Sequence, residues 1–194
     1  AEIAEKNGKK ASDVKVAMAF ENDPFSLDVR AGVLEDMEKY GMKAVIDDKM
    51  PRDLNDISST LTKVKALKPD LLVLSGHSKG AATGARQIKE MKINVPMIAM
   101  THCEAAKITS KFGASTDDFL CPTQWAETLS YKDKYFGTAA DYDKLFKKTF
   151  EGYKNVPYQS AQATAAVGSG RPRAPRTASC RAPRWPPSTR HPRR

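Results

Sequence analysis

Short apolar runs alternate with longer helical segments along most of this chain, and this alternation constrains the fold more than any other feature. Five runs are predicted as strands, at 14–20, 42–48, 70–76, 95–100 and 118–124. The run at 14–20 has the pattern of a buried parallel strand, and the run at 70–76 that of a strand buried on both faces. Segments with helical periodicity or small residues follow them, at 25–40, 54–67, 79–92, 104–112 and 140–154. Strands that alternate with helices of this length predict an α/β fold with a parallel sheet. Right-handed crossovers then give a doubly wound, mostly parallel five-stranded sheet of flavodoxin-like order 2-1-3-4-5.

Capping residues indicate where the predicted helices begin and end. Asp23 is placed to cap the first helix, with Pro24 at its first position and Gly41 at its end. Asp53 and Ser78 are expected to cap the second and third helices. A purely structural role as caps is the simplest interpretation of all three polar residues.

The last part of the chain differs in composition from the rest. Residues 168–194 hold eight Arg and six Pro without Lys, Asp or Glu, whereas residues 1–167 hold 21 Lys and only three Arg. This segment therefore carries nearly all of the formal net charge of +9. Its composition predicts a disordered tail. We interpret the abrupt change as sequence that is not native to the domain, such as a shifted reading frame; a basic arm for nucleic acid is the alternative.

Length, hydropathy and cysteine count set further bounds. Residues 1–167 amount to one domain, and no apolar run approaches the ~20 residues of a membrane span. The polar opening has no signal peptide and is typical of the end of a helix that begins outside this chain. The three cysteines give neither a disulfide framework nor metal-ligand spacing. If the parent protein is exported, Cys103 and Cys121 lie near neighbouring strand ends and could pair.

In an open parallel sheet, ligands bind beyond the carboxyl ends of the strands. That rule selects five loops, at 20–26, 48–53, 76–79, 101–104 and 123–126. Three of them are chemically rich: the first holds Phe25 and Ser26, the third His77 and Ser78, and the fourth Thr101, His102, Cys103 and Glu104.

Catalytic chemistry is not well supported by these loops. The run Thr101–Glu104 contains a neighbouring His and Cys, but a Cys–His couple normally joins distant chain segments. No metal spacing and no glycine-rich phosphate motif is present. We therefore predict no catalytic residue, metal or cofactor. A flavodoxin-like enzyme acting through the run Thr101–Glu104 or through the loops at the helix starts, and nucleic-acid binding through the basic tail, are the alternatives.

Two segments together carry a resemblance to a known family. KVAMAFENDPFSLDVRAGVLEDMEKYGMKAV (15–45) is similar to the strand, D-x-x-[YF]-[GS] loop and long helix of the type I periplasmic binding proteins. The stretch 56–100 resembles the next unit of that family, with its P-D, apolar strand and small-residue helix. The resemblance covers about 13–167 and is strongest for the branched-chain amino acid receptors of ABC importers.

The resemblance implies one lobe of a two-lobed receptor that holds its ligand between the lobes. Residues 1–157 would be the second lobe, 158–167 a truncated hinge-return segment and 168–194 the tail. It implies a small-molecule ligand, no catalysis, export to the periplasm, and a membrane permease and ATPase as partners of the intact protein, with no nucleic acid. A lobe without its partner lobe is also expected to self-associate through its cleft face.

The resemblance also suggests the ligand-binding residues. Phe25 matches an aromatic residue that closes over the ligand, His77 and Ser78 match a ligand-contacting loop, and Glu104 matches an acid that holds the ligand's amino group. The full predicted set is Phe25, Ser26, His77, Ser78, Thr101, His102, Glu104 and Trp125. Because His77 and Ser78 replace aromatic residues of the family, aromatic acids and other small organic anions are as open as a branched-chain amino acid.

Overall fold

A computed structural model describes residues 4, 8–53, 55–117 and 119–168 of the chain. Apart from Gly168, the predicted tail lies outside the described residues. The chain divides into two compact units, Ala1–Ala126 and Glu127–Arg194. The predicted division of lobe, hinge-return segment and tail stays a prediction.

The first unit contains a five-stranded sheet of order β2-β1-β3-β4-β5, in which every neighbouring pair is parallel. Its strands are β1 (Lys15–Glu21), β2 (Lys43–Met50), β3 (Leu71–Ser75), β4 (Met97–Met100) and β5 (Phe119–Leu120). The predicted α/β class and the strand order 2-1-3-4-5 are confirmed. The fifth strand was predicted too long at 118–124, since pairing ends at Leu120, shortly before Pro122, which has no N–H to donate.

Five helices follow the strands of the first unit. They are α1 (Pro24–Lys39), α2 (Ser58–Leu67), α3 (Ser78–Glu90), α4 (Cys103–Ala106) and α5 (Ile108–Phe112). The last two replace the single helix predicted at 104–112. Lys107 interrupts that segment with a left-handed backbone (φ 53°), so the chain changes direction between them.

Two of the predicted caps are wrong. Asp23 caps α1 as predicted, because its side chain accepts from the Ser26 N–H. Asp53 instead has a left-handed backbone (φ 59°) and lies ahead of α2, whose first N–H, from Ser58, donates to Asp56 Oδ1 at 3.0 Å. Ser78 is the first residue of α3, and His77 occupies the cap position without a side-chain cap bond.

The sheet has a hydrophobic core on each face because β1 alternates between two buried sides. On one face Val16, Met18 and Phe20 pack with Met37 of α1. The opposite face is built from Ala17 and Ala19 together with residues of β3, α2, α3 and the cap position before α2, among them Ile57, Leu61, Val64, Leu72, Leu74, Ala81, Ala85 and Ile88. Burial of each large side chain contributes roughly 1.5–3 kcal/mol relative to exposure.

Asp70 ties the start of β1 to the start of β3. Its carboxylate accepts the Lys15 N–H at 2.9 Å (Oδ2) and pairs with Lys9 Nζ at 2.6 Å (Oδ1). Burial raises the pKa of Asp70, but these hydrogen bonds outweigh it and hold the pKa below its ordinary value. The ionised form is therefore the form that stabilises this corner of the sheet.

The second unit contains a short antiparallel pair and two helices. These elements are β6 (Lys132–Asp133), β7 (Gly137–Thr138), α6 (Ala139–Thr149) and α7 (Tyr158–Gly168). Thr138 and Asp141 form a reciprocal capping box at the start of α6. The helix predicted at 140–154 ends at Thr149, and the segment 158–167 lies within α7. Within the described residues, no helix has both the length and the apolar character needed to cross a membrane.

Candidate functional site

Three of the predicted ligand residues come together at the carboxyl edge of the sheet. The ring centroids of Phe25 and His102 lie 5.3 Å apart, those of His77 and His102 also 5.3 Å, and those of Phe25 and His77 6.1 Å. These separations are typical of contacting aromatic rings. We call Phe25, His77 and His102 the ring cluster.

The ring cluster is positioned by three parallel strands. Phe25 lies in the first turn of α1 after β1, His77 lies between β3 and α3, and His102 lies between β4 and α4. Because β1, β3 and β4 are neighbours in the sheet, their following loops meet at one edge. Phe25 is 36% exposed and the His77 side chain 57% exposed, so the cluster is accessible to a ligand.

Two buried carboxylates lie beside the ring cluster. Glu21 and Asp23 are each only 3% exposed. His77 Nε2 lies 3.5 Å from Asp23 Oδ1, and the backbone N–H of His77 donates to Glu21 Oε2 at 3.4 Å. Sequence reasoning took Asp23 for a cap alone and did not consider Glu21. The available signal was an acidic residue directly after a strand that is buried on both faces.

The charge state of Asp23 follows from its contacts. Burial raises the pKa of Asp23, but hydrogen bonds from Ser26 and the charge of nearby His77 outweigh that effect and hold the pKa below its ordinary value. Asp23 is therefore ionised at neutral pH. The buried edge of the site carries negative charge directly beside the His77 ring.

His102 has a different environment from His77. Burial is the main cause that lowers the pKa of His102, with a backbone hydrogen bond to Gly76 acting in the opposite direction. The neutral imidazole is therefore the favoured form at neutral pH. Its backbone is left-handed (φ 58°), which turns the chain sharply from β4 into α4.

Hydroxyl groups connect the loops that carry the ring cluster. Thr101 Oγ1 donates to the Gly76 carbonyl at 2.9 Å and accepts the Gly76 N–H at 3.2 Å, which joins the third and fourth loops. Ser75 Oγ lies 3.5 Å from Ser26 Oγ, and the Ser26 side chain is fully buried. Ser26 is a predicted ligand residue, but it lies in the interior, and its backbone N–H donates to the Asp23 carboxylate.

The remaining predicted residues lie elsewhere on the same edge. Ser78 is half-buried at the start of α3, where the first N–H groups have no side-chain cap among the described residues and can accept an anion. Glu104 is exposed, and its Oε2 lies 3.4 Å from Thr123 Oγ1. The same Thr123 hydroxyl donates to the Trp125 carbonyl at 3.0 Å.

Cys103 and Cys121 form a disulfide, with their Cα atoms 5.6 Å apart. The bridge connects the start of α4 to the end of β5. It is the pairing that the sequence predicted for an exported parent protein. A disulfide sulfur is not a thiolate, so Cys103 is not available as a nucleophile in this state. The bridge therefore does not support a Cys103 nucleophile, and it leaves the other loops named for an enzyme untested.

The sheet order and the site at its carboxyl edge define the α/β fold of one lobe of a type I periplasmic binding protein. Residues 1–168 match the family model described as a periplasmic binding protein. The chain belongs to this family.

Solved structures of similar fold include three amino acid transport proteins. The leucine binding protein LivK from Thermotoga maritima is 14% identical with a TM-score of 0.67, over 84% of this chain and 44% of that one. The isoleucine complex of LivJ from Streptococcus pneumoniae is 17% identical with a TM-score of 0.65, over 85% and 45%. An amino acid ABC transporter substrate-binding protein from Pseudomonas fluorescens Pf-5 is 15% identical with a TM-score of 0.65, over 87% and 42%. The chain therefore spans less than half the length of these structures.

Proposed function

We propose that this chain forms one lobe of a solute receptor for an ABC importer, and that it binds a small organic acid or amino acid without catalysis. The observation that supports this function is the convergence of Phe25, His77 and His102 beside two buried carboxylates at the carboxyl strand ends. Aromatic surface with a few polar groups beside it is typical of small-molecule sites.

The ring cluster would contact the apolar part of the ligand. The uncapped N-terminus of α3, at Ser78, would receive the ligand's carboxylate. Thr101 would hold the loop of His77 in place. Glu104 and Trp125 would form the rest of the ligand-binding edge, and Glu104 would pair with the ligand's amino group. Ser26, which is fully buried, would act by orienting Asp23.

The family and this wall of the site support two candidate ligand classes. One relative of similar fold was solved with isoleucine, which supports a branched-chain amino acid. Two histidines beside a phenylalanine suit an aromatic acid equally well.

The chain would supply one wall of the ligand cleft. Receptors of this architecture reach high affinity when two lobes close around a ligand and bury it on both sides. One wall alone leaves much of the ligand in water, so this chain should bind only weakly.

We also propose that the intact protein is exported to the periplasm, where it acts together with a membrane permease and an ATPase. The Cys103–Cys121 disulfide supports an oxidising compartment, since such bonds persist outside the cytosol.

A nuclear magnetic resonance titration tests the proposal. Isoleucine, phenylalanine and benzoate are added separately to the ¹⁵N-labelled chain at up to millimolar concentration, in buffer with EDTA. We expect amide shifts at Phe25, His77 and Thr101 for at least one of these probes, without saturation at micromolar concentration and without a rise in melting temperature. Phe25→Ala should remove the shifts. Shifts confined to other regions, or a clear rise in melting temperature, would contradict a one-walled site.

A further inference from the structure

We propose that Glu21, Asp23 and His77 form a binding site for a divalent first-row transition metal ion such as Zn²⁺. We call these three residues the metal triad. This inference goes beyond the proposed function, because metal binding by the triad requires no solute.

Three residues place potential metal-binding atoms close together. One donor atom from each residue of the metal triad lies within 4.8 Å of the other two. Two donors of a tetrahedral zinc ion lie about 3.4 Å apart when each bond is about 2.1 Å. The 3.5 Å between His77 Nε2 and Asp23 Oδ1 is close to that separation. The His77 side chain is 57% exposed and can rotate, so its imidazole can move closer to the two carboxylates when an ion binds.

The burial of the two carboxylates is a separate argument for a cation. Glu21 and Asp23 are each 3% exposed, and buried charges are normally paired or bound to metal. Asp23 Oδ2 is buried and accepts no hydrogen bond from the described residues. A metal ion bound to this oxygen would supply the missing partner.

The triad is also oriented by its surroundings. Asp23 Oδ1 accepts the Ser26 N–H at 3.2 Å, which holds the carboxylate while leaving Oδ2 for the ion. Glu21 lies against Gly76, where a Cβ atom would lie only 2.5 Å from Glu21 Oε1. Fixed carboxylates reduce the reorganisation that metal binding requires.

The chemistry of the three groups selects the kind of metal. An imidazole with two carboxylates suits Zn²⁺, Mn²⁺ or Fe²⁺, whereas Ca²⁺ and Mg²⁺ prefer oxygen ligands alone. Three protein ligands leave further coordination positions for water or for an acidic solute. The sequence predicted no metal here because Glu21 and His77 lie on different strand ends and form no linear motif.

Calorimetry with Zn²⁺ alone tests the site on the full chain, after EDTA treatment and removal of the chelator. We expect one equivalent of Zn²⁺ per chain, and a loss of affinity of at least about 10-fold in Glu21→Gln, Asp23→Asn and His77→Ala. Asn is also a good helix cap, so Asp23→Asn should stay folded. The His77 ring signals should shift on adding Zn²⁺.

Control variants separate the triad from other ligands. Glu104→Gln changes an exposed acid on the same edge, and His191→Ala and Cys180→Ser change two tail residues of types that can bind zinc. All three should bind Zn²⁺ as the unaltered chain does. Absence of saturable binding, unchanged affinity in the triad variants, or loss only in the tail variants would overturn the proposal. The solute titration in EDTA fails or succeeds independently of this result.

Discussion

The Glu21 side chain packs directly against Gly76 at the carboxyl edge of the sheet. A Cβ atom at position 76 would lie 2.5 Å from Glu21 Oε1 and 2.7 Å from Glu21 Cδ. Glycine is needed here for close approach. The Glu21 carboxylate also accepts a hydrogen bond from the backbone N–H of His77. This contact connects the end of β1 to the loop after β3.

We expect Gly76→Ala to displace the buried Glu21 carboxylate and lower the free energy of unfolding by about 1–3 kcal/mol. Urea denaturation measures the change. Gly32→Ala is the matched control, since a Cβ atom at position 32 of α1 meets no heavy atom within 4 Å. That control should raise stability by about 0.5–1 kcal/mol. Equal stability of Gly76→Ala and the unaltered chain would show that Glu21 moves without cost.

Asp23 contributes to stability as the cap of α1. Asp23→Ala removes the acceptor of the Ser26 N–H and should lower the free energy of unfolding by about 1 kcal/mol. Asp23→Asn keeps a capping oxygen and should lower it by less. Urea denaturation of both metal-free variants makes the comparison. An equal loss in the two variants would show that the capping bond is not the source of the stabilisation.

Asp70 should make stability depend on acid pH. Its pKa in the folded protein is lowered, so the ionised form favours folding: the contribution is present above the unfolded pKa of about 3.9 and is lost as the pH falls through the folded value. We expect the stability difference between the unaltered chain and Asp70→Asn to be largest near pH 7 and to shrink below about pH 4. Urea denaturation at both pH values measures it.

Lys9→Ala is the control for Asp70→Asn, because it removes the ion pair with Asp70 and keeps the carboxylate that accepts the Lys15 N–H. The Lys9 side chain is 42% exposed, so its ion pair should contribute less than about 1 kcal/mol. If Asp70→Asn is equally destabilising at neutral and acid pH, the ionised carboxylate does not cause the effect.

The Cys103–Cys121 disulfide closes a loop with a sequence separation of 18 residues. The double variant Cys103→Ser/Cys121→Ser should lose about 3 kcal/mol of stability, mainly through greater entropy of the unfolded chain. Chemical denaturation with and without a reducing agent provides the measurement. Cys180→Ser should have no such effect. Insensitivity of the unaltered chain to the reducing agent would count against the bridge.

The fold was predictable from local patterns, and the site only in part. Apolar runs located the strands, and the parallel-sheet rule located the edge at which Phe25, His77 and His102 meet. The Asp53 cap was wrong because its backbone is left-handed and α2 begins at Ser58. Glu21 was missed because an acid at a strand end resembles an ordinary solvent-exposed loop residue until its burial is known.

By itself, the sequence determined the α/β class, the strand order and the edge that carries the site, since apolar periodicity identifies strands and helices locally and right-handed crossovers restrict how parallel strands can be ordered. Only the tertiary structure decided which side chains on that edge meet. Asp23 and His77 are far apart in sequence, yet their side chains lie 3.5 Å apart, because β1 and β3 pair in parallel and bring their loops to one place. Such distances depend on strand register and side-chain rotation, which no local pattern specifies.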